Sequence, residues 1–273
     1  MPEAESRADV PATPEADLAL IRSVAEEAGR IAMRFFGRDP EVWMKEGQSP
    51  VSEADMAVDA FLKEALLTAR PGYGWISEET VDDRAVLARR RVFVVDPIDG
   101  TRAFIAGQDM WCVSIGIVED GRPLAGVLDC PARGEAIEAS LGTGARQNGR
   151  DIRVVDLASQ DRLKIAMARS ALALLPEDFR NRVETYPYVP SLAYRLAMVA
   201  RGEIAGTFVR PNSHDWDLAA ADLILAEAGG AVVTADAERL RYGGPTRKHG
   251  TLVAASGQLL DDMLGVVAQT TFG

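Results

Sequence analysis

Residues 91–104 read RVFVVDPIDGTRAF, and this stretch decides how the rest of the chain is read. The β-branched, apolar run over residues 91–95 predicts a buried strand that ends at Asp96. Pro97 fixes its own φ and pushes Asp96 towards an extended conformation, so Asp96 and Asp99 are expected on a stiff turn. Gly100 and Thr101 then suit a helix start, where free backbone N–H groups attract an anion such as phosphate. Acids able to hold a cation thus lie beside amides able to hold an anion. Asp-Pro and Asp-Gly are also common turn dipeptides, so the stretch taken alone is equally a structural turn.

The chain has 273 residues, 47% hydrophobic and 26% charged, with a formal net charge of −11. That is an ordinary globular composition, long enough for one large domain or two modest ones. The anionic excess argues against a nucleic-acid-binding surface, which needs cations. Its two cysteines, Cys112 and Cys130, lie in apolar segments without metal-type spacing and are expected as buried thiols in a reducing cytoplasm. The acidic opening MPEAESRADVPATPEAD has neither a basic start nor an apolar core and is expected as a disordered tail over residues 1–14 rather than a secretion signal. No apolar run approaches the ~20 residues that span a bilayer, so a cytoplasmic protein without membrane contact is expected.

Outward from the central motif, residues 15–36 carry apolar side chains at three- and four-residue steps, ending at Gly37, and predict one amphipathic helix. After the loop KEGQSPVS, residues 53–69 return to helical spacing, with Asp55 in the first turn, where the helix dipole alone favours a carboxylate. Residues 74–77 form a strand-like run ending at Glu78 and Glu79. Residues 111–118, 123–128 and 135–139, separated by turn signals, predict an antiparallel meander. Asn148-Gly149 and the polar stretch to Gln160 mark a boundary, dividing an α+β domain over residues 15–155 from an α/β domain over residues 156–273. In the second part, helices are expected near 176–184 and over 191–201, with a strand over 204–209. SHDWDLAAADLILAEAGG, residues 213–230, predicts a helix opening at Asp217 with one apolar face, and Trp216 is expected in the core by its size.

Asp55, Glu78 with Glu79, Asp96 with Asp99, and Asp217 each begin or end an element. If they converge, two carboxylates ~4 Å apart cost about 4 kcal/mol at an effective dielectric near 20, so the cluster needs cations or protons. With oxygen ligands and only His214 and His249 in the chain, the donor chemistry favours Mg2+ over Zn2+. Mg2+ favours phosphate oxygens, and metal-assisted attack of water on phosphorus by two or three ions is then coherent.

VDPIDGTRAF and WDLAAADLILAEAGG resemble the two signatures of the inositol monophosphatase superfamily, and KEGQSPVSEAD, WISEE and SLAYRLAMVARGE match its supporting segments in order. The resemblance implies a layered αβαβα sandwich of the inositol monophosphatase and fructose-1,6-bisphosphatase type, a homodimer, and Mg2+-dependent, lithium-sensitive hydrolysis of a small phosphate ester. It implies that Glu78, Asp96 and the Ile98 carbonyl hold one Mg2+, that Asp96, Asp99 and Asp217 hold a second, and that a third uses Glu78 and water. Asp55, Glu79 and Thr101 would orient or deprotonate the attacking water, and the Gly100 and Thr101 amides would bind phosphate. Lys45, Ser191, Arg195, Arg210 and His214 would meet the substrate. Where inositol-hydrolysing members carry a glutamate four residues before the histidine, this chain has Arg210. Together with Arg102 and the SLAYR segment, this resembles the bacterial 3′(2′),5′-bisphosphate nucleotidases, because an arginine fork suits a second phosphate. His214 fits the inositol-type pattern instead, so inositol 1-phosphate, other sugar phosphates and histidinol phosphate stay open, as does a non-catalytic Mg2+ or phosphate-binding regulator.

Overall fold

A computed structural model describes residues 12–45, 50–80, 84–155, 162–167, 172–173 and 175–269. The expected N-terminal tail and the 155/156 boundary lie mostly outside these residues. No helix among the described residues is long and apolar enough to cross a membrane.

Two helices cover the outer face of the first sheet. Helix α1, Pro14–Ala32, starts on a Thr13 N-cap whose hydroxyl accepts the Ala16 N–H. It stops at Ala32 rather than reaching residue 36, and turns lead to Gly37 at φ 70°. Helix α2 spans Glu53–Ala69, as its spacing predicts. Between them lies a short hairpin, β1 (Val42–Met44) paired with β2 (Pro50–Ser52), which carries no apolar alternation. Buried Asp17 of α1 accepts from Arg70, Tyr73 and Arg91 at 3.1, 2.8 and 2.9 Å, tying α1, the end of α2 and the start of the central strand together.

The first sheet has seven strands in chain order. β3 (Gly74–Ser77) runs parallel to β4 (Arg91–Asp99). An antiparallel meander then follows through β5 (Cys112–Glu119), β6 (Arg122–Cys130), β7 (Glu135–Ser140), β8 (Ala145–Gln147) and β9 (Arg150–Ile152). β4 is covered on both faces. Phe93 and Val95 pack under α1 and α2, whereas Val92 and Val94 face the middle of the molecule. Two-sided burial explains why the strand reads as a continuous apolar run. β4 continues to Asp99 instead of ending at residue 95, with its register shifted between Asp96 and Asp99. A bulge of this kind re-aims side chains at a sheet rim. Asn148 and Gly149, both at positive φ, form the β8–β9 hairpin turn and so extend this sheet rather than end it.

On the inner face lie α5 (Leu192–Ala200) and α6 (Asp215–Glu227). Residues 218–225 of α6 are all buried, so the helix has no solvent face and the expected single apolar stripe is replaced by burial all round. It sits close to the sheet because Gly116 and Gly126 leave room: a Cβ on Gly126 would stand 2.8 Å from the Ala220 carbonyl oxygen. Beyond these helices is a five-stranded sheet ordered β11-β10-β12-β16-β14. Its strands are β10 (Leu163–Ala166), β11 (Val183–Tyr186), β12 (Gly206–Val209), β14 (Ala231–Thr234) and β16 (Leu252–Ala255). β10 runs parallel to β11 and β12, and β16 antiparallel to β12 and β14. Helix α7, Gly257–Gln269, covers the far side with Leu259, Met263 and Val266. The layers are therefore α, β, α, β, α. Short helices among the described residues include α3 (Thr101–Ile105) and α4 (Glu177–Arg180), the latter much shorter than expected. β13 (Ser213–His214) pairs with β15 (Lys248–His249) at the entrance to α6.

Candidate active site

Two helix starts and one strand end converge on an acidic basin. Asp55 is the third residue of α2; its carboxylate accepts from the Ser52 N–H at 2.8 Å and the Ser52 hydroxyl at 2.5 Å. Asp217 is the third residue of α6 and accepts from the His214 N–H at 2.7 Å. These reciprocal caps satisfy orphan helix donors and also hold each acid at the basin. Asp96 and Asp99 come from the bulged end of β4. One oxygen each from Asp96, Asp99 and Asp217 lies within 4.8 Å of the others. Lining this basin, of about 370 Å3, are also Glu78, Gly100, Thr101, Arg102, His214 and Trp216.

The basin's electrostatics call for a cation. Burial, followed by the charge of Glu78, pushes Asp96 well above the usual carboxylate range. Asp217 is raised in the same way by burial and then by Asp99. Asp99 is pushed up to about 6 by burial, against the lowering effect of its bond from Ser191. Desolvated carboxylates that repel one another are relieved by a hard cation, and an all-oxygen donor set suits Mg2+. Asp96, Asp99 and Asp217 therefore fit the ion.

The Lys45 ammonium bridges Glu78 at 3.0 Å and Glu79 at 2.6 Å. Burial raises Glu79 to about 7 even though Lys45 lowers it. Asp55 is raised to about 6, chiefly by burial. The Thr101 hydroxyl lies 3.2 Å from Asp55 Oδ1 and 3.0 Å from the Ile98 carbonyl oxygen; its single proton serves one of them at a time. Gly100, at φ 94°, turns the chain into α3, and a Cβ there would meet Ser191 at 3.0 Å.

Ser191 is fully buried rather than presented to a ligand. Its hydroxyl donates to Asp99 at 2.5 Å and accepts the Tyr194 N–H at 3.0 Å. Asp99 also accepts the Ala193 N–H at 2.6 Å, so one acid of the basin caps α5. Trp216 packs against the core, as its size predicts, but is only half-buried; it stacks on His214 at 4.5 Å with an interplanar angle of 5° and also lines the basin. Asp215, passed over in the sequence, is fully buried and bonds His249 Nε2 at 2.8 Å and the Gly243 N–H at 2.8 Å, fixing the entrance to α6.

A second cavity of about 360 Å3 is lined by Arg195 and Arg210. Both cavities share Tyr188, Pro190, Leu192, Asn212 and Asp217, so they form one trough. Arg195 Nε is buried without a hydrogen-bond partner, and burial holds its guanidinium below the ordinary value. Tyr188 and Asn212 were missed in the sequence. The flanking prolines of YPYVP and the PNS turn before His214 were their available signals.

A layered sandwich whose strand and helix ends bring three carboxylates together over a basin is the arrangement of a metal-dependent phosphomonoesterase. The chain belongs to the inositol monophosphatase family, whose sequence profile matches residues 15–270. It is 30% identical over 230 residues to the 3′(2′),5′-bisphosphate nucleotidase CysQ of Aggregatibacter actinomycetemcomitans, covering 80% of this chain and 84% of that one. It is 32% identical over 262 residues to the histidinol-phosphatase of Mycobacterium tuberculosis, covering 91% and 96%. Among solved structures, an IMPase of Thermotoga maritima superposes with a TM-score of 0.81 at 25% identity, covering 92% and 96%. The chain is a hydrolase of phosphoric monoesters, of a family that acts on small phosphate esters and depends on Mg2+.

Proposed function

We propose that this chain is a 3′(2′),5′-bisphosphate nucleotidase that removes one phosphate from 3′-phosphoadenosine 5′-phosphate. The observation that carries this reading is the trough: acids at one end for the ester being cut, arginines at the other for a second phosphate. The CysQ relative supports it. Inositol 1-phosphate is the second reading, favoured by His214 at the basin wall.

Asp96, Asp99 and Asp217 would hold Mg2+, with Glu78 and the Ile98 carbonyl completing a site for two to three ions. When bound, Mg2+ neutralises charge on the phosphate and acidifies water. Glu79, near neutrality in its proton affinity, is suited to accept the proton of the attacking water. Thr101, backed by Asp55, orients that water through its hydroxyl oxygen. The Gly100 and Thr101 amides would bind the phosphate, and Lys45 balances Glu78 and Glu79. Residues 15–155 and 156–273 act as two domains with the reaction between them, in a cytoplasmic homodimer.

The test is kcat/KM on 3′-phosphoadenosine 5′-phosphate, inositol 1-phosphate and histidinol phosphate with Mg2+. The bisphosphate is expected to exceed both others by at least tenfold; a tenfold advantage for either of the others overturns the assignment.

A further inference from the structure

We infer that the trough sorts substrates by a planar ring stacked on Tyr188 and by an anion held at Arg195. Tyr188 is 64% exposed, a large aromatic left open at the point where both cavities meet. The Arg195 guanidinium lies 6.0 Å from the ring centroid. An exposed aromatic face between two binding ends is a stacking platform, because every planar base presents a π-face to it. Arg195 supplies an independent sign of a ligand. Arg195 is half-buried, and its Nε, closed off from solvent, has no hydrogen-bond partner; an incoming anion would supply the missing acceptor. Asp217, at the shared mouth, is the one acid among the described lining residues of the second cavity, and Asp99 acts on Arg195 by its charge; among the described residues no side chain accepts from the Arg195 Nε. Arg210 lines the same end.

These features select one ligand class. A polyol phosphate has no flat face for Tyr188 and no second charge for Arg195. An imidazole-bearing phosphate with an ammonium group offers a ring, but both arginines repel its amine. A purine or pyrimidine nucleotide with a second phosphate satisfies both ends. The inference rests on the nucleotidase reading only for the phosphate that is cut; ring and second anion are carried by Tyr188 and Arg195.

Calorimetric titration of 5′-AMP, ribose 5-phosphate and adenosine into the Mg2+-loaded full chain separates the contributions. AMP is expected to bind at least tenfold tighter than ribose 5-phosphate. Tyr188→Phe keeps that preference and Tyr188→Leu reduces it below threefold; Tyr188 is exposed, so neither change disturbs folding. Arg195→Met reduces AMP affinity about tenfold and leaves adenosine unchanged. If Arg195→Met is not recovered folded, Arg195→Lys is used, and at least threefold weaker AMP binding is expected as the fork is lost. The inference is overturned if Tyr188→Leu keeps the AMP preference, or if the Arg195 variant keeps the wild-type advantage of AMP over adenosine. Failure of the chain to hydrolyse the bisphosphate would remove the nucleotidase reading and leave these binding results standing.

Discussion

Asp99 accepts a 2.5 Å hydrogen bond from the hydroxyl of Ser191, which is itself the N-cap of α5. A carboxylate of the metal basin is thereby fixed to the helix that carries Arg195. Ser191→Ala should lower stability by about 1–3 kcal/mol, since a cap and a charge-assisted bond are both lost. The Mg2+ concentration for half-maximal activity should rise about tenfold. Ser191→Thr keeps the hydroxyl and should keep both properties; a Mg2+ titration of each variant decides.

Gly126 and Ala220 set how closely α6 approaches the first sheet. Gly126→Ala would place a methyl group 2.9 Å from the Ala220 Cα and 2.8 Å from its carbonyl oxygen. Backbone cannot step aside as a side chain can, so a loss of about 1–3 kcal/mol is expected. Gly265, in α7, has open space around it. Gly265→Ala should stabilise by about 0.5–1 kcal/mol through helix propensity alone. Thermal unfolding of the two variants should move in opposite directions.

Asp129 packs against α1 at Gly29, and burial with the charge of Glu26 raises it to about 7. A folded pKa above the unfolded value means that the native state binds the proton more tightly. Stability linked to this group is therefore complete at acid pH and is lost as pH rises through about 7. Asp129→Asn should raise the melting temperature by several degrees at pH 8, a gain that shrinks towards pH 4 as the wild-type acid becomes neutral. Melting curves across that range check the sign.

Arg210 lies at the cationic end of the trough. Arg210→Glu should lower kcat/KM for the bisphosphate at least tenfold more than for inositol 1-phosphate, because it repels a second phosphate and offers a hydroxyl acceptor. Measuring both substrates on one preparation gives the ratio directly; an unchanged ratio counts against the nucleotidase reading.

Much of the layered fold is visible in hydrophobic period and punctuation: residues 53–69 and 74–77 carry their elements to the residue. What escapes is long-range. Turn chemistry at Asp-Pro marks a strand end locally, yet pairing with β5 carries β4 through a bulge to Asp99. Asn148-Gly149 looks like a boundary until its flanking strands pair across it. The hairpin over residues 42–52 has only three-residue strands, too short for a period to register. At the basin, residue type identifies Asp96, Asp99 and Asp217. The pairing of Lys45 with Glu78 and Glu79, the place of Ser191 behind Asp99, and the exposure of Tyr188 depend on contacts that no spacing encodes.

The central claim is that Asp96, Asp99 and Asp217 hold the Mg2+ on which hydrolysis depends. Phosphate release from 3′-phosphoadenosine 5′-phosphate, measured with Mg2+, without Mg2+, and with Mg2+ on Asp96→Asn, tests it most directly. Release is expected to fall by at least about a thousandfold in the second and third conditions, the loss of several kcal/mol of transition-state stabilisation. Equal release in all three would contradict it.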